Sequence, residues 1–382
     1  MSLPGTRVRN RIPLATAILA GLLAAHASPA RAGGELDEKM TAVAKKIKLL
    51  LDQKGRDSIA VGEFRGPAKL ASSAGPAISK ALEDELKKLG VACKRRAEYE
   101  VNGDYRDVAS KTNKDLAILI KAHVVDQSGA ELVAFEPREI ISFSTIASLI
   151  GVTVSMPADG TADERNDKLT KAVDDPNVHL AGTRISAASD SPYAIEVLVK
   201  VGADYRPRAA TKDGDGFAFL KIKRGEAYEV RLINDSPHDA AVTLTIDGLS
   251  VFAFSANTGY THWIVPNKGS LTVPGWHRSN KVADSFLVTE YAKGAAAEKL
   301  PSSASVGTVT ATFAAAWPKG KPPPEDEPSA PKGARSGDAT GRGPAVGTKF
   351  TEVVREVGRL RASVSVRYNK DADPKDLPDS KP

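Results

Sequence analysis

The chain has 382 residues, of which 41% are hydrophobic, 26% charged and only 5% aromatic, which is length and apolar content enough for two domains with cores of their own. Its 53 lysines and arginines stand against 47 acids, but four of the arginines lie in the first 32 residues, so the remaining 49 nearly balance the acids. With the basic excess concentrated there and no Arg/Lys stripe interleaved with aromatics, nucleic acid is excluded as an expected partner.

Residues 1–32 place Arg7, Arg9 and Arg11 before an apolar run from Ile12 to Ala25 and an Ala30-Arg31-Ala32 ending. This pattern predicts a cleaved secretory signal peptide, because the run is shorter than the roughly 20 apolar residues a membrane span needs. It places the protein in the periplasm or outside the cell, with no transmembrane segment in the mature chain. Cys93 is the only cysteine, so an internal disulfide is impossible, and its place at the start of a predicted strand predicts a small buried apolar residue rather than a reactive thiol.

From Leu36 to Gln53, Met40, Val43, Ala44, Ile47, Leu50 and Leu51 recur at three- and four-residue intervals, which predicts an amphipathic helix ended at Gly55. Ser58–Phe64 predicts a strand, and Pro76–Leu89 a second helix, with Ile78, Leu82, Leu86 and Leu89 on one face. Asn102-Gly103 predicts a tight hairpin, since both residues tolerate positive φ. The runs on either side of Gln127-Ser128-Gly129 predict further strands of the same sheet. Ile140–Met156 reads as a buried helix and strand, and Thr161–Val173 as a polar helix. The first domain is expected over 36–185, with the boundary near Asp190.

After Tyr193 the period changes to two. Runs such as AIEVLVKV, AYEVRLI, AVTLTID and VGTVTATF are rich in β-branched residues and separated by turn formers. They predict an antiparallel, Ig-like β-sandwich over 190–316. Residues 318–347, with KGKPPPEDEP and few large apolar residues, are expected to form a disordered Pro/Gly-rich loop. Residues 348–369 are expected to return to the sandwich, and 370–382 to form a disordered tail. The predicted fold class is therefore α+β: an α/β sandwich domain with a mixed sheet, followed by a β-sandwich.

The order IAVGEF, ISKALEDELKKLGV, AILIKAHVV and ELVAFE, within Ala42–Glu139, resembles the α/β domain shared by curli-secretion-channel subunits, flagellar outer-membrane assembly proteins and lipoprotein activators of penicillin-binding proteins. The resemblance implies an envelope protein that works by contacting other proteins; the lipid-anchoring cysteine usual in those families is absent here. GEAYEVRLINDS, VTLTIDGLSVF, VPGWHRS and VGTVTATF are similar to a recurrent bacterial secreted β-sandwich module, which implies a fold without an activity.

Candidate chemistry concentrates in Gly259–Asn280, where His262-Trp263 is mirrored by Trp276-His277. A hairpin with a loop at Asn267–Ser270 would put Trp263 and Trp276 on one face and His262 and His277 on the other, whereas a one-residue slip would put Trp263 with His277. The candidate binding set is Tyr260, His262, Trp263, Trp276, His277 and Arg278. As an exposed platform the indoles would stack on a sugar; otherwise they fill the core. A metal site would need a third ligand from His238, Asp239 or Asp247. Asp247-Gly248 reads as a turn. Gly248-Leu249-Ser250 is half of a nucleophile elbow, and the chain has no phosphate loop. Glu325, Asp326 and Glu327 sit in the predicted loop, where nothing is expected to hold them.

The expected function is that of an exported, non-enzymatic envelope or extracellular protein that recognises an envelope protein, without cofactor or metal. The alternatives are a glycan-binding module using the aromatic platform and a metal-dependent hydrolase using His262 and His277.

Overall fold

The computed structural model describes residues 34–67, 74–257, 259–288, 307–328 and 345–368. The predicted signal peptide, most of the predicted loop and the C-terminal tail lie outside the described residues. Among the described residues the molecule is mixed α+β and mostly strands, with four helices.

The first body is built from α1 (Glu35–Gln53), β1 (Ser58–Arg65), α2 (Ala74–Lys88), β2 (Ala92–Cys93), β3 (Tyr99–Ala109), β4 (Leu116–Asp126), β5 (Glu131–Ala134) and β6 (Arg138–Ile140). Its six-stranded sheet runs β2-β1-β3-β4-β5, with β6 also on β4, and is mixed because β1 pairs in parallel with β2 and β3. The stripe predicted on α1 is buried at Met40, Val43, Ala44, Ile47 and Leu51. It packs with Ile78, Leu82 and Leu86 of α2 over Ile118, Ile120 and Val124.

The hairpin expected at Asn102-Gly103 is not there. β3 continues through both residues, paired with β4 from Tyr99↔Asp126 to Ala109↔Leu116. The glycine serves close approach instead: a Cβ at Gly103 would lie 1.9 Å from the Lys121 carbonyl oxygen and 2.8 Å from the Phe64 ring. The turn at Gln127–Gly129 does form, with Gly129 at φ +83°.

α3 (Phe143–Ile150), β7 (Val154–Ser155) and α4 (Ala162–Asp174) follow. Thr161 caps α4 in a capping box with Glu164.

The second body contains β8 (His179–Ala181), β9 (Arg184–Ser186), β10 (Tyr193–Val201), β11 (Asp204–Pro207), β12 (Thr211–Lys212), β13 (Ala218–Leu220), β14 (Ala227–Asn234), β15 (Asp239–Ile246), β16 (Leu249–Ser250), β17 (Trp263–Val265), β18 (Gly269–Val273), β19 (Gly275–Ser279), β20 (Val282–Leu287), β21 (Thr308–Pro318), β22 (Ala345–Gly347) and β23 (Arg355–Tyr368). One sheet is ordered β19-β20-β14-β10-β9-β8, the other β12-β13-β23-β21-β15-β16. They face each other across a core that includes Val197, Tyr228, Val230 and Leu232 from the first and Val242, Leu244, Phe313 and Val364 from the second. Pairing is antiparallel except for β13 with β23, which is parallel.

The structural seam lies before Asp190: β8 and β9 already belong to the second body's sheet, and β7 pairs with β23. Because α3 contacts β21 and β23, these strands are covered on both faces. The alternating Thr/Ser of TVTATF and SVSVRY, which period two predicts to face water, is therefore buried at Thr308, Thr310, Ser363 and Ser365. Thr310 Oγ1 and Ser365 Oγ are 3.1 Å apart, and the Ser365 N–H donates to Thr153 Oγ1 at 3.0 Å, so the buried hydroxyls are partly satisfied across the seam between the bodies.

Candidate functional site

Gly259–Asn280 does not form a hairpin. β17 pairs with β15 in one sheet and β18 with β14 in the other, so the chain changes sheet between Val265 and Gly269. Asn234 holds this corner: its fully buried Nδ2 donates to the carbonyls of His238, Val265 and Pro266 at 2.8, 3.1 and 3.1 Å. Lys268 turns the corner with φ +51°.

This crossing decides which aromatics meet. Trp263 packs with His277 (ring centroids 5.7 Å), Phe252 (4.7 Å) and Phe350 (4.7 Å). Trp276 instead packs against Phe254 and Phe286. Trp263 is 6% exposed and Trp276 5%, so the pair offers no platform on which a sugar could stack. The scarce large residues fill the sandwich. The indole N–H of Trp263 is buried without an acceptor among the described residues.

His262 immediately precedes β17 and is half-buried. Its Nδ1 lies 2.7 Å from Thr261 Oγ1, and burial pushes its pKa down to about 4. His277 is 1% exposed and commits both ring nitrogens: Nδ1 lies 3.1 Å from Ser255 Oγ, and Nε2 3.1 Å from Asn280 Oδ1. Asn280 Nδ2 donates onward to Tyr260 Oη at 3.1 Å, and Tyr260 donates to Glu352 Oε2 at 2.9 Å. Because Asn280 Nδ2 donates to Tyr260, its Oδ1 accepts, which places a proton on His277 Nε2, and burial pushes the imidazole's pKa down, in favour of the neutral ring.

Ser255 ends the relay, but its Oγ already accepts the Asn257 N–H at 3.1 Å. The neighbouring N–H groups of Ala256 and Gly259 donate to Arg278 O and Asn257 Oδ1. Among the described residues these N–H groups are therefore spent within the loop and are not aimed at a developing oxyanion. Arg278 pairs with Asp284 at 3.2 Å. Thus Tyr260 and Trp263 both meet His277 ring to ring, whereas Trp276, Arg278 and His262 make their contacts with Phe254 and Phe286, with Asp284 and with Thr261. Among the described residues no group of three His, Cys, Asp or Glu side chains is placed to hold a metal ion.

Two features escape the period-based reading. The first is the face of the six-stranded sheet opposite α1 and α2. Ala60 and Gly62 of β1 floor a furrow on it, with Glu63 and Arg65 at the end of that strand and Arg95, Glu100, Asn102, Asp104 and His123 around it, and a volume of about 510 Å³. A Cβ on Gly62 would sit 2.2 Å from Glu100 Oε1, so the missing side chain lets that carboxylate lie across β1; Asn102 Nδ2 donates to the same oxygen at 3.2 Å. Cross-strand pairing sets Asn102 beside His123.

The second is a cluster of arginines at the seam. Asp326 and Glu327, expected to hang in a loop, are held: Arg361 Nη1 and Nη2 donate to Asp326 at 2.5 and 3.0 Å, and Nη2 to Glu327 at 2.7 Å. The Arg359 N–H also donates to Glu327, at 2.7 Å. The cause is electrostatic: a buried guanidinium on β23 requires a counter-charge, and this proline-rich segment supplies it.

Cys93 is half-buried, and its thiol is pushed up to about 11 by burial first and by the Glu83 carboxylate second. Among the described residues no helix is long and apolar enough to cross a membrane. Compared with family models, with curated proteins and with solved structures, the chain matches none.

Proposed function

We propose that the protein is an exported envelope or extracellular binding protein that acts by protein–protein recognition without chemistry, and that the uncovered face of the six-stranded sheet is the recognition surface. The observation that carries this reading is the one-sided helix layer: α1 and α2 bury one face, while the other keeps Arg95 and Asp104 exposed and Glu100, Asn102 and His123 half-buried around a glycine-floored furrow. A surface of mixed charge with a side-chain-free floor suits a polar protein segment laid across the strands. The charges set register and encounter rate, and the floor allows close approach. The strand and helix order shared with assembly-factor α/β domains supports the same reading, as does the signal-type N-terminus. The Ig-like description of the second body belongs to this proposal too, resting on two facing, mostly antiparallel sheets; its role would be that of a rigid support.

The test is a paired capture from envelope extract with the mature protein and with an Arg95→Glu/Glu100→Arg variant of unchanged melting temperature. A partner retained by the first and lost from the second supports the proposal. Equal capture by both, or capture by neither, removes this face as the recognition surface.

A further inference from the structure

Three arginines converge where α4 meets β23. Arg165 and Arg361 are each only 4% exposed, and Arg359, at the exposed rim, donates Nη1 to Gly160 O at 3.3 Å. Among the described residues Arg165 pairs with no carboxylate: Nη1 donates to Pro157 O at 2.5 Å and Nη2 to Leu360 O at 2.8 Å. Burial, followed by repulsion from Arg359 and Arg361, pulls its pKa down to about 10. Arg361 Nε is buried with no acceptor among the described residues. Among the described residues three cationic groups are thus answered by two carboxylates, Asp326 and Glu327, and donor capacity is left over.

Those carboxylates arrive on a strap that owes little to a core. Pro322, Pro323 and Pro324 precede them and Pro328 follows; Asp326 is about half exposed on its outer side, while the Glu327 side chain is buried. Glu327 fits because residue 358 is glycine, where a Cβ would lie 2.5 Å from the carboxylate. The arrangement has the parts of an anion-binding site: planar donors, those of Arg165 and Arg359 held by backbone carbonyls, and an acidic group seated among them where a glycine permits close approach.

We infer that Arg165, Arg359 and Arg361 form an anion-binding site occupied in cis by the Asp326-Glu327 strap, and that the site takes an anion bearing two or more carboxylate or phosphate oxygens when the strap lifts. This is independent of the sheet-face furrow, since the site lies on β23 and α4.

The experiment uses the full mature chain and two openings of the strap. Asp326→Asn/Glu327→Gln removes its charge, whereas Gly358→Ala keeps the charge and crowds Glu327 out of its seat. Calorimetric titration with citrate and with inorganic phosphate should give binding at least tenfold tighter in either variant than in the native chain. Adding Arg361→Met should abolish that gain; which probe binds tighter distinguishes a carboxylate ligand from a phosphate one. In the native chain, citrate should speed trypsin cleavage after Lys319, at the root of the strap, several-fold over sodium chloride of equal ionic strength. The inference is overturned if neither variant gains affinity while at least one retains a cooperative melt, if binding survives Arg361→Met, or if citrate leaves the cleavage rate unchanged.

Discussion

Tyr368 donates its phenolic proton to Asp247, whose two carboxylate oxygens lie 2.8 and 2.7 Å from Tyr368 Oη, at the end of the sandwich. The same carboxylate accepts the N–H groups of Gly307 and Thr308 at 2.6 and 3.0 Å, and Asp247 itself holds φ +52°. What reads as a plain Asp-Gly turn is therefore the point that ties the ends of β15, β21 and β23. Replacing Tyr368 by Phe leaves one oxygen of this enclosed carboxylate without a donor, at a cost of about 1–3 kcal/mol. Chemical denaturation of Tyr368→Phe should show that loss as a lower midpoint with an unchanged slope.

The corner held by Asn234 gives a sharper contrast. Its Nδ2 serves three carbonyls, while Oδ1 accepts the Ser236 N–H at 3.1 Å and the Ser236 hydroxyl at 2.6 Å. Asn234→Asp keeps the size but turns an acceptor, charged at neutral pH, toward those three carbonyls, so it should destabilise by about 3–5 kcal/mol, as an uncompensated buried charge does. Asn234→Ala should cost less. Equal melting temperatures for the two variants would contradict this account of the corner.

These two sites show where the sequence was legible. Period and turn chemistry carry α1, α2, most strands of the sandwich and the return of β23 to it, because each depends on side chains within a few residues. Pairing between distant segments is not written locally. THWIV and SLTV look like hairpin arms, yet Asn234, some thirty residues earlier, sends them to opposite sheets. Asn102-Gly103 has turn chemistry, but Gly103 is required by the Lys121 carbonyl pressing on it. EDE in a proline-rich run is compositionally a loop, and only the burial of Arg361 makes it a structural element. The furrow is legible only in part: Gly62 shows a strand glycine, while its neighbours Glu100 and His123 are ordinary polar residues until pairing sets them side by side.

Burial of the aromatic pair is open to direct measurement. The chain has three tryptophans, and Trp263 and Trp276 are enclosed while Trp317 is half-buried. Acrylamide should quench most of the native emission poorly, and Trp317→Phe should remove the quenchable fraction. Ready quenching in Trp317→Phe would mean an exposed indole pair and restore the sugar-platform reading.

Cys93 should be sluggish toward thiol reagents. A thiol pushed up to about 11 is ionised roughly a hundredfold less at neutral pH than an ordinary cysteine near 8.5–9. Alkylation by iodoacetamide should run slower by about that factor in the native chain and recover in denaturant. A native rate equal to the denatured one would show that the packing around Glu83 and Val91 does not confine the sulfur.

His262 sets a pH dependence whose sign follows from its surroundings. Its imidazole titrates at about 4 in the folded protein, against an ordinary 6.5. Between those values the unfolded chain binds a proton that the folded one does not, so stability is complete above about pH 6.5 and is lost as pH falls toward 4. His277, also pushed down by burial, acts in the same direction. The full shift for His262 would correspond to about 3 kcal/mol, but the residue is partly exposed, and solvent screening reduces the expected loss to about 1–2 kcal/mol. His262→Gln should flatten the stability profile between pH 6.5 and 4 while leaving the carboxylate-driven loss below it. A profile as steep in the variant as in the native protein would place the titrating group elsewhere, and His277 would be the next residue to replace.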